Sequence, residues 1–122
     1  MDKIFCACAP APVGPYSQAI RAGGFLFVSG QIAMDLQGNF VGGDVAAQTD
    51  LACRNLAAVL DAVELTMENV VKTTCFLTDM ADFAAFNEVY AQHFPHAPAR
   101  SCVAAAGLPK GALVEIEAVA AL

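Results

Sequence analysis

The 122-residue sequence predicts an α+β fold, a mixed β-sheet with two helices packed on one face, in the order βββ-α-β-α-ββ. Three observations lead there. Glycine-punctuated apolar runs fill the first third of the chain. Two later segments repeat their apolar residues at helical spacing, with a β-branched run between them. Two short apolar runs then close the chain around a Gly/Pro loop.

Residues 17–22 and 25–29 flank Gly23-Gly24, a two-residue hairpin signal. A turn at Gln37-Gly38-Asn39 leads to a short third strand, Phe40-Val41, which Gly42-Gly43 ends. Asp44 is placed to cap a helix over residues 44–64, on which Ala52, Leu56, Val59, Leu60 and Val63 share one face. Residues 70–78 are rich in β-branched side chains and too short for another such helix, so they form a strand. Asp79 caps the second helix, which carries Phe83, Phe86, Tyr90 and Phe94 along one face and stops at Pro95. Strands over residues 100–105 and 113–120 finish the chain around the loop Gly107-Leu108-Pro109-Lys110-Gly111.

Two helices cover only one face of such a sheet, yet Phe25-Leu26-Phe27-Val28 is apolar on both faces because strand side chains alternate. In the last strand Val114, Ile116, Ala118 and Ala120 face the helices, leaving Leu113, Glu115, Glu117 and Val119 on the far side. A second face this apolar predicts self-association.

Composition narrows the function. With 57% hydrophobic and 15% charged residues the chain is no disordered tail, and it fits one domain over residues 1–122. No apolar run approaches the ~20 residues that span a bilayer. The start, Met1-Asp2-Lys3-Ile4-Phe5, lacks a basic stretch followed by a long apolar one, so the expected location is the cytoplasm, with organelle import left open. The net charge of −6, with Arg21, Arg54 and Arg100 scattered singly, disfavours nucleic acid. Five cysteines, Cys6, Cys8, Cys53, Cys75 and Cys102, form no disulfide framework and no CxxC motif, and are expected as small reduced core residues. His93 and His96 lie near no cysteine pair, so no metal is expected.

The candidate chemistry starts from the far face of the sheet. Arg100 and Cys102 point the same way along their strand, and Glu115 and Glu117 share a face of theirs. If those two strands pair, an arginine, a thiol and a carboxylate converge at a subunit interface. Arg100 sits among Ala, Ser, Cys and Val, where a guanidinium needs an anion. That anion is either Glu115 or Glu117 of the same chain or the carboxylate of a ligand, and both readings stand. No Ser-His-Asp arrangement, phosphate-cradling loop or metal cluster is present. Lys72 and Lys110 suit Schiff-base chemistry only if buried, and Lys110 falls in a loop. What remains is chemistry that needs an anion hook and an oriented water.

Gly14-Pro15-Tyr16-Ser17-Gln18-Ala19, Ser29-Gly30-Gln31-Ile32, Val71-Lys72-Thr73-Thr74, Pro98-Ala99-Arg100-Ser101-Cys102-Val103, Leu108-Pro109-Lys110 and Glu115-Ile116-Glu117-Ala118 together resemble the RidA family, also called YjgF, of reactive-intermediate deaminases. The resemblance runs in order over nearly the whole chain. It implies a chorismate-mutase-like fold, a homotrimer with sites in the clefts between subunits, and no cofactor. It also implies hydrolysis of enamine and imine intermediates, such as 2-aminoacrylate and 2-iminobutanoate, to 2-keto acids and ammonia. Arg100 would then clamp the substrate carboxylate, and Glu115 with the Cys102 backbone carbonyl would hold the attacking water. Tyr16 would line the cleft and hydrogen-bond substrate or water, Ser29 and Gly30 would form its wall, and Asn87 is a further contact. Tyr16 also reads as an aromatic packed on the Gly14-Pro15 turn, and Glu117 as a structural carboxylate. Cys102 is expected to supply backbone and wall and not a nucleophile. Two other readings compete: a non-catalytic regulatory protein whose cleft binds 2-keto acids, in which Glu115 has no task, and the ribonuclease or translation-inhibitor activity attributed to some family members, against which the charge speaks. The chain departs from the family pattern chiefly at Cys6 and Cys8, which stand where polar residues are usual.

Overall fold

The computed structural model describes residues 1–122, and the alternation of short apolar runs and helical repeats resolves into six strands and two helices. These are β1 (Asp2–Ile4), β2 (Ala19–Ala22), β3 (Phe25–Gln31), α1 (Val45–Asp61), β4 (Val70–Leu77), α2 (Phe83–His93), β5 (Ala99–Ala104) and β6 (Val114–Ala121). The strands form one sheet in the order β1-β2-β3-β6-β4-β5, antiparallel throughout except for the β4–β5 pair. A parallel pair needs a long crossover, and α2 supplies it. The mixed sheet, its two helices and the order βββ-α-β-α-ββ stand as the sequence predicts.

The first three strands are not the predicted three. Gly23 and Gly24 turn the β2–β3 hairpin with φ of 59° and 83°, the positive values a two-residue loop requires. Phe40-Val41, however, is no strand. Phe40 makes only an isolated bridge to Met34, because the Asp35 carboxylate accepts from the Gln37 and Asn39 amides and closes a tight turn. The third strand is β1, which adds to the free edge of β2 with Ile4 opposite Ala19. Three residues carry no periodicity, so the sequence pattern has nothing to announce them.

Asp44 caps α1 as expected, its carboxylate accepting from the Ala47 amide at 2.9 Å. Ala52, Cys53, Leu56, Val59 and Leu60 bury one face. The helix stops at Asp61, short of the predicted end at residue 64. Glu64 takes the left-handed conformation, φ 62°, and the Leu65 amide bonds back to the Leu60 carbonyl at 3.0 Å. Glycine normally fills that position, and its absence hid the stop. Asp79 caps a single 3₁₀ turn, Met80–Asp82, that runs directly into α2. The aromatic stripe is core: Phe86, Tyr90 and Phe94 are buried.

The helix-covered face of the sheet carries Leu26, Val28, Thr73, Cys75, Leu77, Val114, Ile116, Ala118 and Ala120, all buried. On the opposite face Phe25 and Phe27 are 42% and 46% exposed, with Val103 on β5 at 47%. The apolar second face therefore exists and has nothing over it within one chain.

Candidate functional site

The β3–β6 ladder breaks at one place, and the break shapes a cleft. Val28 pairs with Ala118, but the next partners are Gln31 and Ile116, so β3 carries an extra residue at Ser29-Gly30. The bulge lets the Glu115 side chain lie across β3. A Cβ built on Gly30 would collide with the Glu115 carboxylate, so any other residue there displaces it. Ser29 donates its hydroxyl to the Ser17 carbonyl at 2.6 Å and its amide to the Gln18 carbonyl at 2.9 Å, tying β3 to the loop that bears Tyr16. Tyr16 is half-exposed; its hydroxyl accepts from the Val13 amide at 3.3 Å, and its ring lies over Gly14. The ring thus packs on its turn and lines the cleft at once.

Gln18 completes the wall. Its buried amide accepts from the Cys6 amide at 2.6 Å and donates to the carbonyls of Cys6, Ala9 and Pro10 at 3.0, 3.3 and 2.9 Å. The cleft so enclosed holds about 380 Å³, within the range of small-molecule sites. Tyr16, Gln18, Ser29, Gln31, Glu115 and Glu117 supply its polar groups, and Pro10, Ala11, Val13, Ile32, Met34 and Pro109 its apolar ones. Burial pushes the Glu115 carboxyl above its ordinary value, and the Glu117 charge adds to the effect.

Arg100 lies elsewhere. β4 sits between β5 and β6, so the pairing of the two closing strands on which the convergence was conditional does not occur. In the parallel register Arg100 stands beside Thr73 and Cys102 beside Cys75, both buried under the helices. Arg100 and Cys102 consequently face α2, while Glu115 and Glu117 face the other way, so the four do not converge within one chain. The cause is topological. The α2 crossover makes β5 parallel to β4, and β6 enters between β3 and β4, an order that side-chain alternation alone leaves open.

The surroundings of Arg100 also exclude the internal ion pair. Its Nη1 donates to Asn87 Oδ1 at 2.8 Å, and its guanidinium carbon lies 4.8 Å from the Tyr90 ring centroid and 5.6 Å from those of Phe83 and Phe86. The chain's salt bridges join Asp50 to Arg54 and to His93, and none reaches Arg100. A guanidinium framed by three rings and one neutral amide keeps its charge unmatched. Asn87 touches Arg100 directly. Cys102 is half-buried, and burial raises its thiol pKa against the opposing pull of Arg100, which keeps it a thiol.

Two candidate clusters result. Tyr16, Ser29, Gly30 and Glu115 line the cleft; Arg100, Asn87 and Cys102 gather at the β5 edge against α2. The sequence reading did not single out Gln18 or Gln31 as cleft residues. A glutamine next to a strand signals little, and only the fold reveals Gln18 as a buried clamp. The cysteine expectation is also corrected in part. Cys53 and Cys75 are free and buried, with thiols pushed up by burial, but Cys6 and Cys8 are bonded to each other. One intervening residue leaves their Cα atoms 5.2 Å apart, inside disulfide reach.

Residues 6–122 match the family described as Endoribonuclease L-PSP. A RutC family protein of Synechocystis is 56% identical over all of this chain and 97% of its own length. The chain belongs to the RidA/YjgF family. Its fold superposes on RidA from an Antarctic Psychrobacter with a TM-score of 0.95, at 37% identity over the full length of both chains. Escherichia coli TdcF, solved with bound serine, aligns with a TM-score of 0.94 and 40% identity, covering 100% of this chain and 99% of that one. As in sequence, no helix of this RidA/YjgF protein is long and apolar enough to cross a membrane.

Proposed function

We propose that this protein is a 2-imino acid deaminase that hydrolyses 2-iminobutanoate, 2-iminopropanoate and the enamines in equilibrium with them to 2-keto acids and ammonia. The observation that carries the reading is the unmatched guanidinium of Arg100, held at a sheet edge by Asn87 and three rings. A carboxylate is the ligand group its planar fork fits bidentately. The serine bound to TdcF is an amino acid with such a carboxylate, which supports the class of ligand.

Arg100 and Glu115 cannot meet on one small molecule within a chain, because they lie on opposite faces and two strands apart. The site is therefore composite: the cleft of one copy, with Tyr16, Ser29, Gly30 and Glu115, receives the β5 edge of the next, with Arg100, Asn87 and Cys102. A homotrimer closes such a head-to-tail contact into a ring, and the bare face around Phe25 and Phe27 gives the copies an apolar surface to share. Arg100 fixes the substrate so that its C2 carbon faces the cleft. Glu115 orients a water there and takes its proton as oxygen bonds to C2. Returned to the nitrogen of the adduct, that proton makes it a leaving group; the C2–N bond then breaks as the C2 hydroxyl gives its own proton to Glu115, which leaves the 2-keto acid, ammonia and a proton for solvent. A carboxyl raised by burial suits both halves of this exchange, accepting and then giving the proton.

The test is an imine-trapping assay in which threonine dehydratase or an amino-acid oxidase makes the imine and semicarbazide competes for it. Wild type is expected to suppress semicarbazone formation and Arg100→Ala to leave it untouched. Arg100→Lys keeps the charge and loses the fork, so turnover falls by one to two orders of magnitude, about 1.4–2.7 kcal/mol. Binding of 2-keto acids by wild type without imine turnover would replace the deaminase with a ligand-sensing protein.

A further inference from the structure

The segment before β2 carries a pair of reactive atoms that imine hydrolysis does not use. Cys6 and Cys8 are joined as a disulfide at the start of the loop that walls the cleft. Their sulphurs lie 3.7 and 3.4 Å from the Ala58 carbonyl of α1. Bonded to each other they have no proton to offer that oxygen, whereas as thiols either can donate to it. Cys6 is buried and Cys8 is exposed, so one sulphur of the pair is open to an attacking thiolate. The buried Cys53 and Cys75, held as thiols, are poor competitors for that exchange.

The pair is mechanically connected to the cleft. Gln18 binds Cys6 through both its amide and its carbonyl, and binds the Ala9 and Pro10 carbonyls with the same side chain. Pro10, Ala11 and Val13 then form the apolar wall beside Tyr16. With the disulfide closed, residues 6–8 are locked in one small ring that Gln18 anchors; with it open, that ring is lost and the segment keeps only hydrogen bonds, those of Gln18 chief among them.

We propose that Cys6 and Cys8 form a reversible dithiol–disulfide site in exchange with a low-molecular-weight thiol and its disulfide, and that its state sets how firmly the 6–13 wall of the cleft is held. Reduction proceeds in two steps. A thiolate from outside bonds to Cys8 Sγ, the Cys6–Cys8 bond breaks, and Cys6 leaves as a thiolate and takes a proton. A second external thiolate then attacks the external sulphur of the mixed disulfide, forming the external disulfide and releasing Cys8, which is protonated in turn. Two thiols are oxidised to one disulfide, and two electrons and two protons enter the protein. In a reducing compartment a disulfide of this kind acts as a sensor and not as a permanent staple.

The experiment equilibrates the full chain against mixtures of reduced and oxidised glutathione, quenches in acid, and counts alkylated thiols on the peptide holding Cys6 and Cys8 by mass spectrometry. The expected result is a two-electron transition from no added groups to two within the range of mixtures. Deuterium exchange of residues 6–18 is expected to run about tenfold faster in the reduced form, equivalent to roughly 1.4 kcal/mol of local opening, with α2 unchanged. Cys8→Ser, which leaves the buried Cys6 in place, should exchange like the reduced form in every mixture. Two alkylated thiols even in glutathione disulfide alone, or none in excess glutathione, overturns the reversible site. Equal exchange in both states overturns its link to the cleft. Neither readout uses imine turnover, so the result is separate from the fate of the deaminase reading.

Discussion

Glu115 is placed where function and stability pull in opposite directions. Its pKa is raised in the fold by burial and by Glu117, so the folded chain binds its proton more tightly than the unfolded chain does. Stability from this group is therefore complete at low pH and declines as pH rises from the ordinary carboxylate range through the raised folded value. Glu115→Gln removes an ionisation that opposes folding. The variant should melt higher than wild type near pH 7 and match it near about pH 3, while imine turnover is lost. Melting temperatures measured across that range decide it, and equal values near neutrality would refute the burial argument. Gly30 acts through the same carboxylate. Gly30→Ala should leave the fold intact and displace Glu115, lowering turnover more than it lowers the melting temperature, because the obstructed atom is at the end of a side chain that can move aside.

At the scale of elements, α2 has two tasks that the sequence pattern showed only as one. The spacing of Phe83, Phe86, Tyr90 and Phe94 reads plainly as a core stripe, and the last three are buried with Phe83 partly so. That three of the four rings also frame the Arg100 guanidinium depends on β5 being the parallel neighbour of β4, which no local pattern encodes. Helices and the β2–β3 hairpin were legible because period and turn residues are local; β1, which adds to a free edge, the Phe40 segment, which the Asp35 turn leaves as one bridge, and β6, which enters between β3 and β4, were not, because each depends on contacts that no local pattern encodes. The candidate residues were legible one by one through their motifs, but their grouping into two clusters was not, since it follows from strand order. Phe86→Ala tests the double task. Phe86 is fully buried, so the truncation costs about 3–5 kcal/mol of stability in urea unfolding. It should also weaken keto-acid binding in protein that remains folded at low temperature, whereas Leu56→Ala, buried in α1 and not among the groups that frame Arg100, should destabilise without that second effect.

For the whole molecule, the composite site proposed above requires that a single chain hold two unlike halves of different sites. Arg100→Ala and Glu115→Ala are each expected to be inactive when purified alone. If they are mixed, unfolded and refolded together, some contacts will join the intact β5 edge of a Glu115→Ala copy to the intact cleft of an Arg100→Ala copy. With random assembly in equal amounts, each half is intact half of the time, so about a quarter of the contacts are complete and about a quarter of wild-type imine turnover returns. A site contained within one chain allows no recovery, because every copy then lacks one of its two groups. Recovery must also depend on exchange of subunits: mixing the two folded variants without unfolding should return activity only as fast as copies exchange. An inactive refolded mixture, with the oligomer shown to have re-formed, would place Arg100 and Glu115 in separate functions.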